Sequence, residues 1–236
     1  VNGQVADTGD LLSMLLLSVD EDGEFMDDKQ LRDEVATLFA AGHETTSNAL
    51  SWTWYLLAQH PAAEAKLHAE LDAVLAGRPP TLADLPNLPY SLQIVKEAIR
   101  LYPPAWILNG RLALEDVELG GYTVPKGSTV FVSPDVMHHL PHYFDEPDAF
   151  KPERFTPEFE KSLPKFAYMP FGGGARVCIG NAFAIMEAQL ILATIAQKYR
   201  LTLAQTEPVN YEAKITLIPK NGIQMRVAER ETAVSP

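Results

Sequence analysis

The chain has 236 residues, 47% of them hydrophobic, 21% charged and 9% aromatic. That is globular composition, which excludes a disordered chain or a collagen-like repeat, and the length suits one large domain or two small ones. With 19 basic against 31 acidic residues the formal charge is −12, which argues against nucleic acid or an anionic membrane surface as partner.

No uninterrupted apolar run approaches the roughly 18 residues of a membrane span. The apolar patch from Leu11 to Val19 lies between acidic residues and lacks the basic flank of a signal peptide, so a soluble, cytoplasmic chain is expected. A single cysteine, Cys178, leaves no internal disulfide and no multi-cysteine zinc site. The first residue is Val1, which suggests processing or a fragment.

Residues 7 to 19 are expected to form a short helix, and the acidic stretch DEDGEFMDD at 20 to 28 a solvated loop. A long helix is expected from Lys29 to Gln59, ended by Pro61. Within it, AAGHETTS at 40 to 47 predicts a local opening, because glycine and paired threonines are poor helix formers. A helix at 62 to 76 is followed by a break at Arg78-Pro79-Pro80. Residues 90 to 101 place Ile94, Val95, Ala98 and Ile99 on one helical face, before Pro103-Pro104. From 111 to 133 the period shortens toward two. Leu112, Leu114, Val117, Leu119, Val130 and Val132 then mark strands, with turns at Gly120-Gly121 and Pro125-Lys126-Gly127. The proline- and aromatic-rich stretch 134 to 176 is expected to be mostly irregular, and a run that long is normally functional. A helix from Gly180 to Lys198 precedes terminal strands with a hairpin-type turn at Lys220-Asn221-Gly222. No repeat and no domain boundary stand out.

The most informative segment is FGGGARVCIG, 171 to 180: a glycine-rich loop that carries the only cysteine and then opens a helix. A thiolate there gains the positive helix end and free backbone N–H groups. Arg176 offers a guanidinium to a carboxylate, and the glycines let a flat ligand approach the backbone. One cysteine suits a haem iron held by a single axial thiolate. The plain alternative is a buried, inert cysteine. A phosphate loop fails on sequence, since neither GxxxxGK[ST] nor a complete GxGxxG is present.

This segment resembles the haem-thiolate signature of the cytochrome P-450 superfamily, with Phe171, Gly174, Arg176, Cys178 and Gly180 at its fixed positions. Three further motifs stand in the family's order. AGHETT at 41 to 46 is similar to its oxygen-activation motif, on the helix that crosses the distal haem face. There the resemblance gives Thr45 the hydroxyl role and Glu44 the proton relay, chemistry suited to a water-poor site. Taken alone, the segment is equally a threonine-rich wet face, and a zincin is excluded because Ser47 stands where the second histidine would be. KEAIR at 96 to 100 spaces Glu97 and Arg100 one helical turn apart, where a plain surface pair is also possible. In the family that pair is buried with an arginine from a Pro-Glu-Arg-Phe segment, here Pro152 to Phe155, which gives Arg154 a structural role beside them. Arg111 resembles the arginine that pairs with a haem propionate, as Arg176 does on the loop. The resemblance points Trp106, Ile107 and Ala41 toward substrate, although core packing explains apolar side chains as well. His138, His139 and His142 lack a nearby ligand set and do not argue for a metal. Position 140 is Leu where the family's strongest form of that segment has Asp.

The resemblance implies a mainly α fold with small antiparallel β-sheets, read as one haem-binding region over 1 to 236. It matches the later half of a family member and lacks the earlier half with its small sheet domain and lid helices. That half is expected to be lost, cleaved or supplied by a separate chain. The implied activity is a monooxygenase that uses haem b (iron protoporphyrin IX) and O₂ on a small apolar substrate. Two electrons would come from NAD(P)H through a ferredoxin or flavoprotein reductase, since no nicotinamide or flavin fingerprint is present. The alternatives are a peroxide-using haem-thiolate enzyme and a non-catalytic haem-binding module.

Overall fold

The computed structural model describes residues 6–230. Contacts divide the chain into two compact units, one up to Glu44 and one from Thr45 onward.

The first unit contains helix α1 (Leu11–Leu17) and the start of helix α2 (Asp28–Gln59). Helix α1 is shorter than the expected 7 to 19. The Asp7 carboxylate accepts from the Gly9 N–H at 2.9 Å and the Asp10 carboxylate from the Ser13 N–H at 2.7 Å. These bonds hold residues 7 to 10 as a turn and make Asp10 the N-cap. The acidic stretch is a tight loop: one Asp20 oxygen accepts from the N–H groups of Asp22 and Glu24, both at 2.9 Å. The opening expected at 40 to 47 is not there, because α2 is helical without a break through Gly42. Hydroxyl back-bonding along α2, as from Ser51 to the Ser47 carbonyl and Thr53 to the Ala49 carbonyl, both at 2.8 Å, coexists with a continuous helix.

In the second unit the core lies between the last turns of α2 and helices α3 (Pro61–Leu75), α4 (Pro89–Leu101) and α7 (Asn181–Lys198). Leu67, Leu71 and Leu75, one turn apart on α3, are fully buried. Each such side chain stabilises the fold by about 1.5–3 kcal/mol. Ile94, Val95, Ala98 and Ile99, the face predicted for α4, are all buried. Between α3 and α4, Arg78 grips the Asp84 carboxylate with both guanidinium arms, at 2.7 and 2.5 Å, within a 3₁₀ turn at Leu82–Asn87. Gln189, buried on α7, donates to the Leu88 carbonyl at 2.8 Å and to Ser91 Oγ at 3.0 Å, which ties α7 to the start of α4.

Four two-stranded antiparallel sheets complete the unit among the described residues. Strand β1 (Arg111–Leu112) pairs with β4 (Thr129–Val130), and β2 (Val117–Leu119) with β3 (Tyr122–Val124) through a Gly120-Gly121 turn. Leu114 and Val132 fall outside the strands expected to hold them. Strand β5 (Tyr199–Leu203) pairs with β8 (Met225–Glu229), and β6 (Tyr211–Ala213) with β7 (Leu217–Pro219). The turn at 220 to 222 therefore joins strands of different sheets and closes no hairpin, because β8 finds its partner in β5. The stretch 134 to 176 is mostly irregular, as expected. It holds helices α5 (Pro134–His138) and α6 (Pro157–Ser162), each begun by a proline and capped by a hydroxyl, from Ser133 and Thr156. The mainly helical fold with small antiparallel sheets is as the sequence implied.

Candidate functional site

The cysteine loop leaves a buried anchor at Met169 and runs into α7. Its backbone is folded on itself. The Gly172 N–H donates to the Met169 carbonyl at 3.0 Å, the Val177 N–H to the Gly174 carbonyl at 3.1 Å, and the Cys178 N–H to the Phe171 carbonyl at 2.9 Å. Gly174 sits at φ 68°, where a side chain would strain the backbone. At Gly173 a Cβ would stand 2.4 Å from the Phe166 ring, so a side chain there would force that ring to move. At Gly172 a Cβ would stand 3.6 Å from the Leu108 side chain, and Gly180 is the residue before α7.

The buried, inert cysteine is not what this loop makes: Cys178 is exposed. Around it in sequence, Ile179 is 92% exposed, and Val177 and Phe183 stand out as well. Arg176 is exposed at the end of a 3₁₀ turn.

Glu97, Arg100 and Arg154 are brought together. Glu97 and Arg100 are fully buried, and Arg154 nearly so. Arg100 holds both carboxylate oxygens of Glu97, at 2.7 and 2.9 Å. Arg154 Nε adds a third bond to Glu97 at 3.0 Å, and the Lys151 N–H a fourth at 2.9 Å. The remaining guanidinium N–H groups donate to carbonyls: Arg100 to His138, Pro147 and Ala149, and Arg154 to Asp145 and Glu146. Buried charges persist when paired and saturated in this way.

Arg111 opens β1, exposed, and donates to the Asn109 carbonyl at 3.1 Å. Trp106 and Ile107 are half-buried in the turn after α4. Trp106 Nε1 donates to the Lys214 carbonyl at 2.9 Å, and its own carbonyl accepts from Ser133 Oγ at 2.7 Å, so this turn is fixed against α5. Thr45 is half-buried on α2, followed by buried Thr46 and by buried Asn48, which donates to Thr216 Oγ1 at 3.1 Å. Ala41 and Glu44 are exposed on the α2 segment of the first unit.

The three histidines have separate uses. The His139 ring nitrogen Nδ1 lies 2.7 Å from the Asp135 carbonyl, and the His142 ring packs on Tyr143. His138 is fully buried, and its Nε2 accepts from the Met169 N–H at 2.9 Å. Burial, then the Arg100 charge, holds its pKa down to about 3. This tie to the start of the cysteine loop had no sequence signal, because a histidine in a histidine-rich stretch carries no mark of its acceptor. Tyr168, whose hydroxyl donates to the Lys96 carbonyl at 3.0 Å, was equally silent.

A helical core with one exposed thiol on a glycine-rich loop and a buried Glu–Arg–Arg network agrees with what the resemblance to the haem-thiolate family implied. The Cytochrome P450 family profile matches residues 3–227, and the chain belongs to that family. It is 48% identical over 196 residues to a cyclooctatin synthase of Streptomyces melanosporofaciens, covering 83% of this chain and 42% of that protein. It is 41% identical over 221 residues to a pentalenene oxygenase of Streptomyces avermitilis, covering 94% and 49%. The crystal structure of the cytochrome P450DA heme domain superposes with a TM-score of 0.89 at 36% identity, over 96% of this chain and 51% of that one. The chain thus spans about half the length of the relatives it matches.

The family implies haem, and the residues present fit it. The donor is a single exposed sulfur, the neighbouring exposed side chains are apolar as a macrocycle face requires, and Arg111 and Arg176 are exposed guanidiniums suited to carboxylates. Among the described residues no helix is long and apolar enough to cross a membrane.

Proposed function

We propose that this chain is the haem-binding part of a cytochrome P-450 monooxygenase that inserts one oxygen atom of O₂ into a small apolar molecule. The observation that carries the reading is Cys178, exposed on a loop whose backbone is fastened at Phe171 and whose sequence meets the family signature at every fixed position. Haem, when bound, would supply the redox chemistry. Cys178 Sγ would hold its iron as a thiolate, and Arg176 and Arg111 would hold its carboxylates. The Thr45 hydroxyl would hold the oxygen substrate, and the Glu44 carboxylate would hand it protons. Glu97, Arg100 and Arg154 would brace the fold through their buried network. Electrons would come from NAD(P)H through a ferredoxin or flavoprotein reductase. The relative named as a pentalenene oxygenase supports oxygen insertion as the reaction class.

The test is the absorption of the haem-loaded chain, reduced and exposed to CO. A Soret band at the red-shifted thiolate position, lost in Cys178→Ser, supports the assignment. Haem uptake with an unshifted band sinks it. For the relay, Thr45→Ala is expected to keep NAD(P)H consumption while most of the organic product is lost; unchanged coupling removes Thr45 from the reaction.

A further inference from the structure

His138 is a buried titratable group that the proposed chemistry does not use. It ends α5, and its ring lies 5.1 Å from that of Tyr168 and 6.3 Å from that of Phe144, centroid to centroid. Because Nε2 accepts from the Met169 N–H, that nitrogen carries no proton, so a neutral ring has its hydrogen on Nδ1. The buried Nδ1 has no hydrogen-bond partner. A hydrocarbon side chain would avoid leaving that donor unsatisfied, but it would offer nothing to the Met169 N–H. What the histidine contributes here is the acceptor.

The residue also reaches in the other direction. Its carbonyl accepts from Arg100 Nη1 at 2.9 Å, and Arg100 holds Glu97. Beyond Met169, the loop closes through Gly172 and through the Cys178 N–H on the Phe171 carbonyl. Polar contacts and short backbone steps therefore run from the Glu97 carboxylate to the backbone of Cys178, with His138 as the joint.

We propose that His138 is a positioning residue for the haem ligand: it fastens the start of the cysteine loop to the buried Glu97–Arg100 pair and so keeps Cys178 in its ligand-presenting form. The proposal rests on Cys178 being the iron ligand.

The test compares His138→Phe, which keeps ring volume and removes the acceptor, with His138→Gln, whose amide oxygen reaches the Nε2 position. In the haem-loaded protein, His138→Phe is expected to speed amide exchange at Met169 and Gly172 at least tenfold. It is also expected to move part of the reduced CO band to the unshifted, thiol position. His138→Gln returns both readouts toward wild type. Wild-type exchange in His138→Phe, or equal damage in His138→Gln, overturns the proposal. Should His138→Phe fail to fold, the ring ¹⁵N signals of the unaltered protein decide. A ring that does not titrate between pH 5 and 8, with Nε2 unprotonated, supports the joint; a proton on Nε2 or titration in that range overturns it. An unshifted CO band in the unaltered protein would count against Cys178 as ligand, whereas the amide exchange would still decide the role of His138.

Discussion

Glu97 shows how much one buried residue can hold. It accepts from two guanidiniums and a backbone N–H, and no solvent screens those bonds. Glu97→Gln would leave two buried cations without their countercharge. The expected loss is about 3–5 kcal/mol, as for the breaking of a buried ion pair, measured as a lowered denaturant midpoint. The exposed Lys29–Asp33 pair on α2 has the same chemistry in water and should contribute about 0.3–0.5 kcal/mol, so Lys29→Ala is expected to leave the midpoint almost unmoved. Spacing placed Glu97 and Arg100 one turn apart but did not by itself tell these two cases apart; only the family resemblance implied burial. Burial decides it, and burial depends on α5 and the 145–154 segment closing over α4.

At the scale of elements, the cysteine loop depends on missing side chains. Gly173→Ala would drive a Cβ against the Phe166 ring. The expected result is a weakened loop, read as faster amide exchange at Gly172 and a lower thermal midpoint, with Phe166→Ala in the same chain restoring both. A Gly173→Ala chain that matches wild type would show that the ring swings aside freely. Helices were readable where the apolar period was strong, as along α4, where the four predicted positions are all buried. Weak propensity at 40 to 47 did not interrupt α2, which is helical from Asp28 to Gln59. The short helices α5 and α6 went unread in the proline-rich stretch, although each proline stands at a helix start, where its missing N–H costs nothing.

For the whole molecule, His138 makes stability depend on pH. Its folded pKa, about 3, lies below the ordinary 6.5. Between those values the unfolded chain binds a proton that the folded chain refuses, so stability falls as pH drops from about 6.5 toward 3. The limiting slope is about 1.4 kcal/mol per pH unit from this group. His68, also held low by burial and by Arg230, acts in the same direction. Unfolding free energies at pH 7 and pH 5 should differ less in His138→Phe than in the unaltered protein. An equal difference would mean that the ring titrates normally in the fold.

The sequence by itself determined the family and the mainly helical class, because these rest on residue types at fixed local spacing. Cys178, Arg176 and the glycines are neighbours in the chain, so their chemistry is legible without knowing the fold. Tertiary structure decided which charges are buried, that Cys178 is exposed, how β5 to β8 pair, and that His138 joins α5 to the loop. Those facts depend on segments dozens of residues apart meeting in space, and partners at that distance leave no period or spacing in the sequence.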